Sequence, residues 1–310
     1  MASRVAIAIP LLLVVTFGTY VLLYSIGDPA AAMAGETATP EQIAELRTQL
    51  GLDQPIFVQY WDWLVGFVGG DLGTSMENGV SVSSLVGDHL PPTLMLTACA
   101  MAIAVLVTLV VGSLVGVRPN GLLDRAMQAI SVFGIAVPNF LVGLGLILVF
   151  AIWIPLLPAG GYQPPDQVGI LGTLRFLVLP SLALALSMMC LQVRTFRTSV
   201  VTEFGSGYVR TARMKGASPG QIFFRHVARN ASAPLVTVIG LEVGVLITGA
   251  LIVEVVFAVP GIGTLMIDSV RGQDFPVVQA LVALFGVVVL TANLAADLIA
   301  SWLKPAARTA

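Results

Sequence analysis

The chain has 310 residues, 57% of them hydrophobic and only 10% charged, with a mean hydropathy of +0.94 and a net charge of -2. Fifteen basic and seventeen acidic residues are too few to cover a soluble protein of this size, so lipid is the expected solvent. The near-neutral balance gives no footprint for nucleic acid. The two cysteines, Cys99 and Cys190, lie inside apolar runs and read as small buried hydrophobes, with no disulfide or metal spacing.

A spanning helix needs about 20 apolar residues. The first such segment, Val5 to Ile26, is charge-free. Arg4 and the small residues AAAMAG at 30–35 resemble a signal peptide, but the apolar run is too long for one, so an uncleaved first helix over 1–26 is expected. An outer segment follows over 27–90. Within it TPEQIAELRTQLG reads as a short helix, with Thr39 as N-cap, Pro40 at N1, Gln42 at N3 and Gly51 closing it. PIFVQYWDWLVGFVGGDL, with Trp61 and Trp63, reads as a helix at the membrane interface; parity and Asp62 argue against its spanning.

Further spans are expected over Pro91–Val117, Ala126–Ile154, Phe176–Val193, Ala231–Val259 and Val277–Leu303. With the first they make six, the last five forming one core over 91–303. Pro155, Pro158, Pro164 and Pro165 make 155–175 extended or turning, and 258–276 is a short loop able to dip back toward the membrane. The small-residue pairs Gly112/Gly116 and Gly240/Gly244 are patterns that let helices approach, although 31 glycines make such pairs common by chance. Residues 304–310 form a short tail.

Basic residues orient the spans. With the N-terminus inside, twelve of the fifteen fall in inner segments; only Arg47, Arg175 and Arg271 lie outside. The outer segment 27–90 holds nine acidic residues against Arg47 alone. The expected topology is all-α, six transmembrane helices, both termini inside.

The densest positive block is YVRTARMKGASPGQIFFRH, within the inner loop 203–230. A helix is expected beyond Gly207, stopped by Gly216. A second restarts with Ser218 as N-cap, Pro219 at N1 and Gln221 at N3, a capping box, and runs through QIFFRHVARN. Ile222, Phe223 and His226 fall near one face, Arg225 and Arg229 on another. One reading is a basic loop held to anionic lipid. The other is a docking element in which Phe223 and Phe224 insert into a partner's groove.

YVRTARMKGASPGQIFFRHVARNASAPLV resembles the cytoplasmic EAA loop of ABC importer permeases of the dipeptide, oligopeptide and nickel branch. Gly216 matches the loop glycine and Ala212 its second alanine, while Arg210 stands at the glutamate position and Thr211 at the first alanine. GLDQPIFVQYWDWL, GDLGTS, VPNFLVGLGLILVFAIW, LPAGGY and VEVVFAVPGIGTLMIDSVRGQDFPVVQA are similar to the same branch, so the resemblance runs across nearly the whole chain. It implies a type I ABC importer permease fold in the bacterial inner membrane, a second homologous permease, two cytoplasmic ATPase subunits (or one fused), and an extracytoplasmic solute-binding protein. It also implies a coupling helix over 217–229, with ATPase contacts at Arg210, Ala212, Arg213, Lys215, Gly216, Ala217, Ser218, Pro219, Ile222, Phe223, Phe224 and Arg225. No GxxxxGK[ST] loop is present, so ATP and magnesium are expected on the partner subunits and no cofactor on this chain.

Ionisable residues inside spans are costly and are functional suspects. Glu242 and Glu254 lie in the fifth span, twelve residues and so about 120° apart, and do not share one face. Either is a candidate to meet a peptide's amino terminus in a water-filled cavity, or a structural carboxylate. Asn139, after Pro138, is a further candidate for the pathway, and Asp297 is expected near the inner headgroups. The leading expectation is ATP-coupled uptake of short peptides; nickel or glutathione cargo is the alternative. A channel or secondary transporter would need no docking helix. An intramembrane enzyme lacks parts, since His89 and His226 are the two histidines and both fall outside the expected spans.

Overall fold

The computed structural model describes residues 2–35 and 38–303. Among them the chain is helical, with one isolated β-bridge joining Thr74 and Ser81. The helices are α1 (Ala2–Ile26), α2 (Pro29–Ala34), α3 (Pro40–Gln49), α4 (Ile56–Val68), α5 (Val82–Val117), α6 (Leu122–Ala136), α7 (Asn139–Trp153), α8 (Pro165–Phe204), α9 (Gly207–Met214), α10 (Pro219–Phe257), α11 (Ile262–Arg271) and α12 (Phe275–Leu303). The tail 304–310, with Lys304 and Arg308, lies outside the described residues.

Among the described residues, four helices, α5, α8, α10 and α12, are long and apolar enough to cross a membrane. In α1 the apolar stretch Ile9–Ser25 is shorter. The expected continuous span Ala126–Ile154 is instead two helices, α6 and α7, bent by 104°. Pro138 has no N–H for the helix ladder and forces the residue before it out of the α region; Val137 accordingly sits at φ -85°, ψ 124°. The 155–175 segment is also corrected. One helical turn begins at Pro165, where Pro164 and Pro165 supply an extended cap and a preset first turn, the chain breaks at Gly169 with φ +71° and ψ 165°, and the long part of α8 follows that kink. The 258–276 loop contains α11. His89 lies inside α5, its Nδ1 2.8 Å from the Leu85 carbonyl oxygen.

The chain divides into two compact units. The first comprises residues 1–93 and 260–290. In it α4 packs on α1 through rings: Phe17 stacks on Phe57 at 5.1 Å, meets Tyr60 edge-on at 5.1 Å, and the Tyr60 hydroxyl lies 2.8 Å from Thr16 Oγ1. Trp61, Val65 and Val68 are exposed, and so is most of Phe57 despite its stack on Phe17. The expected cap of α3 is present, Thr39 and Gln42 forming a reciprocal capping box. Buried Asp274 accepts hydrogen bonds from Ser75 Oγ and from the Met76 backbone N–H, the latter at 3.0 Å, and so ties the turn before α5 to the loop before α12. Val82, Ile262, Val277 and Leu281 form the apolar core beside it.

The second unit comprises residues 94–259 and 291–310. Helix α8 is its axis. Leu177, Leu184 and Met188 of α8 pack with Leu96, Ala100 and Ala104 of α5 and with Leu246, Ala250, Val253 and Phe257 of α10. The glycine pair in α5 is a helix contact. A Cβ at Gly112 would lie 2.9 Å from Phe196 Cδ1 and one at Gly116 would lie 2.7 Å from Val200 Cγ1, both on α8. Gly240 likewise meets Ala296.

Candidate coupling surface and polar track

The basic block folds as the capping residues dictate. Helix α9 ends at Met214, Lys215 caps it, and Gly216 takes the left-handed conformation at φ +81°. The Ala217 N–H donates to the Ala212 carbonyl at 3.1 Å and the Gly216 N–H to the Arg213 carbonyl at 3.0 Å. These two bonds define a Schellman motif, which places Ala212 and Ala217 at its apolar contact positions. Both pack on the cluster of Phe196, Val200, Val209, Ile222 and Phe223. The chain then restarts at once. Ser218 Oγ accepts from the Gln221 N–H at 3.3 Å, and the Gln221 side-chain oxygen accepts from the Ser218 N–H at 3.0 Å.

Two expectations for this loop are corrected. First, the restarted helix does not end near Arg229. It runs from Pro219 into the span as α10, with a π turn at Phe223–Val227. Nothing from Arg225 to Asn230 supplies a glycine stop or a proline break, so the ladder continues. Second, the phenylalanines are not a pair of projecting anchors. Phe223 is 9% exposed and Ile222 is buried, both inside the chain's own core, whereas Phe224 is 79% exposed. Val227, not His226, shares the buried face; His226 is exposed. Adjacent residues on a helix point about 100° apart; here Ile222, Phe223 and Val227 take the core side and Phe224 falls outside it.

The outward face therefore consists of Arg210, Arg213, Met214, Lys215, Gly216, Ser218, Pro219, Phe224 and Arg225, all exposed, while Ala212 and Ala217 are half-buried. Tyr208 braces the module, donating to Glu203 Oε2 at 2.6 Å and accepting from Asn230 Nδ2 at 3.3 Å. Burial, and after it the Glu203 contact, push its phenol above the usual value.

The candidate solute residues are buried in the second unit. Glu242 is 4% exposed and Glu254 fully buried, so neither carboxylate opens onto a water-filled space in this conformation. Glu242 Oε2 accepts from Gln192 Nε2 at 2.5 Å, and Gln192 Oε1 accepts from Thr108 Oγ1 at 3.3 Å. Glu242 Oε1 has no hydrogen-bond partner. Asn139, the first residue of α7, is half-buried with its Nδ2 3.0 Å from where a Cβ at Gly249 would sit. Gly249 is seven residues beyond Glu242, two turns and roughly 10 Å along the same face of α10. The fold thus puts Asn139 and Glu242 on one face and leaves Glu254 on another. Gln192 was not among the expected residues, although a lone amide within the apolar run Phe176–Val193 was a readable signal.

An ion pair with a buried carboxylate was missed as well. Asp124, on the first turn of α6, is fully buried and holds Arg197 of α8 through two bonds of 2.6 Å, to Nε and Nη2. It also accepts from the Asn120 N–H at 2.8 Å and from Gln128 Nε2 at 3.1 Å. Nothing in the sequence pairs two residues 73 apart.

Comparison with known proteins matches this arrangement to one family. Residues 108–309 match the description "Binding-protein-dependent transport system inner membrane component", and residues 1–97 match its N-terminal counterpart. A probable peptide ABC transporter permease of Sinorhizobium fredii, y4tP, is 37% identical over 91% of this chain and 90% of its own length. The glutathione transport system permease protein GsiC of Salmonella typhimurium is 37% identical, and that of Escherichia coli O6:H1 36%, each over 97% of this chain and 95% of its own length. These matches cover both units and the polar track between α8 and α10. The chain belongs to the binding-protein-dependent transport system inner membrane components: it is a multi-pass inner-membrane permease subunit of an ABC importer, not an enzyme.

Proposed function

We propose that the chain imports short peptides, with the exposed face around Gly216 and Phe224 as its contact to an ATPase subunit. The observation that carries this is the division of the loop into two sides. Ile222, Phe223 and Val227 lock one side into the core of the second unit, while Phe224 and a basic rim stand outward on a capped turn. A loop that only held anionic lipid would need the charge but not the rigid frame. A push on Phe224 is transmitted directly, because the same helix continues as α10 toward Glu242.

The topology assigned is six spans with both termini inside, the bent pair α6–α7 counting as one. The partners assigned are a second homologous permease, two ATPase subunits and an extracytoplasmic binding protein; ATP and magnesium belong to the ATPases. Arg210, Ala212, Arg213, Lys215, Gly216, Ala217, Ser218, Pro219, Phe224 and Arg225 are assigned to coupling, with Ile222 and Phe223 as its anchor to the core. Glu242 and Asn139 are assigned to the solute path once it opens, and Glu254 to a flanking position.

The experiment is ATP-dependent uptake of labelled dialanine by the whole transporter in proteoliposomes. Phe224→Ala and Gly216→Trp should cut uptake and solute-stimulated ATPase activity at least about tenfold while the subunit still inserts and assembles. Glu242→Gln should lower uptake without loss of assembly. Normal transport by Gly216→Trp would end the coupling assignment. The relatives named for glutathione give the second reading: if glutathione is taken up and dialanine neither enters nor competes, the cargo is glutathione.

A further inference from the structure

The second unit contains a cavity of about 340 Å³ between α6 and α8 that neither the coupling surface nor the solute path uses. Its polar end is built from Arg194, Arg197 and Thr198 of α8. Spaced three and four residues apart, these side chains are neighbours on one face of the helix. The other walls are apolar: Val115 of α5, Met127 and Val132 of α6, and Val193 of α8. Val132 is 65% exposed, and Ile135, one turn further on the same face of α6, is exposed too. The apolar wall therefore runs out of the cavity along the surface of α6.

The charges at the polar end do not cancel. Asp124 also borders the cavity, but it is fully buried and its oxygens are taken by Arg197, Asn120 and Gln128. Arg197 matches its charge. Arg194 is exposed and, among the described residues, has no ion pair, so the lining is left with an unmatched positive charge. Arg197 has donors to spare as well. Asp124 takes two of the five N–H groups of the guanidinium, and the side chain remains 20% exposed. The carboxylate thus fixes the fork without exhausting it. Two neighbouring guanidinium groups, one of them pre-oriented, suit the oxygens of a phosphate and repel an ammonium. Asp124 lies on the first turn of α6, so the polar end sits near a helix end, at the level a lipid headgroup reaches. Basic pockets between spanning helices at that level hold anionic headgroups.

We propose that this cavity binds the phosphate of an anionic phospholipid, with Arg194, Arg197 and Thr198 donating to its oxygens and an acyl chain lying along Met127, Val132 and Ile135. A soluble phosphate ester would use the same donors but would leave the apolar wall to water, which favours the lipid. The proposal depends neither on the cargo nor on the coupling surface.

The test is native mass spectrometry of the full-length chain released from a neutral detergent. The probes are dioleoyl-phosphatidylglycerol, dioleoyl-phosphatidylcholine and soluble glycerophosphoglycerol. One phosphatidylglycerol should bind saturably and ahead of phosphatidylcholine. Arg194→Gln should weaken it at least about tenfold, the effect of losing a hydrogen bond to a charged group. Arg194 is exposed, so this substitution leaves the fold intact. Val132→Trp should fill the cavity and weaken binding with both arginines still in place. Arg213→Gln takes a charge from the densest basic block, outside the cavity, and should leave binding unchanged. Absence of saturable phosphatidylglycerol binding, or equal losses from Arg194→Gln and Arg213→Gln, overturns the proposal. Glycerophosphoglycerol binding as tightly as the lipid overturns the lipid as occupant and makes the ligand a free phosphate ester. Lipid binding is read without transport, so either result leaves dialanine uptake and its dependence on Phe224 as a separate measurement.

Discussion

Gly216 is held by its backbone angle alone. At φ +81° a side chain is strained, yet a Cβ there would meet no atom within 4 Å. The cost of alanine should therefore be conformational, of order 1–2 kcal/mol. Asparagine tolerates the left-handed region and should cost less. Thermal unfolding of the purified subunit should rank glycine above asparagine above alanine. Equal midpoints for all three would show that the turn does not need this angle. The sequence alone made Gly216 and the Ser218 cap legible, because stop and start signals are local. The role of Ala212 and Ala217 was not, since an apolar contact across a Schellman turn depends on the packed cluster beneath it. The same limit explains Phe223 and Phe224: composition marks both as anchors, and only helix phase against α8 separates them.

At the scale of elements, the joint between α6 and α8 is an ion pair whose carboxylate is buried and whose guanidinium is partly exposed. Removing Arg197 alone would strand the Asp124 carboxylate with only the Asn120 N–H and Gln128 to satisfy it. Breaking such a pair costs about 3–5 kcal/mol, whereas replacing both charges is close to neutral. Arg197→Met should therefore unfold well below the native chain, and the double variant Asp124→Asn/Arg197→Gln should recover most of the loss. If the single and double variants unfold together, the pair holds nothing. Apolar runs marked the long apolar helices α5, α8, α10 and α12 but not the shape of what lies between them. Pro138 was visible in the sequence, yet an apolar run on both sides hid the 104° bend, because hydropathy does not register a missing N–H. The π turns in α5, α7 and α10 leave no compositional trace either. Glu242 and Glu254 were each legible as unusual in lipid; that Glu242 meets Gln192 and not solvent depends on α8 and α10 packing at that register.

For the whole molecule, the distribution of charge sets the orientation. Arg118, Arg125, Arg194, Arg197 and the cluster from Arg210 to Arg229 fall in segments expected to share one side, while the acidic segment around α3 is expected on the other. Inner-leaflet lipids are anionic and attract basic loops at about 1 kcal/mol per residue, so the energy gap between the two orientations grows with each added charge. The outward faces of α4 and α6 carry Phe57, Trp61, Val132 and Phe133, which suit lipid or a second permease and not water. Single cysteines report the result directly. With Cys99 and Cys190 replaced, Glu45→Cys on α3 and Lys215→Cys beyond α9 both occupy exposed positions. In intact spheroplasts a membrane-impermeant maleimide should label position 45 and not 215; after lysis it should label both. Labelling of 215 before lysis would invert the topology. It would also place the Gly216 turn out of reach of any cytoplasmic ATPase, so this one measurement bears on the orientation and on the coupling surface together.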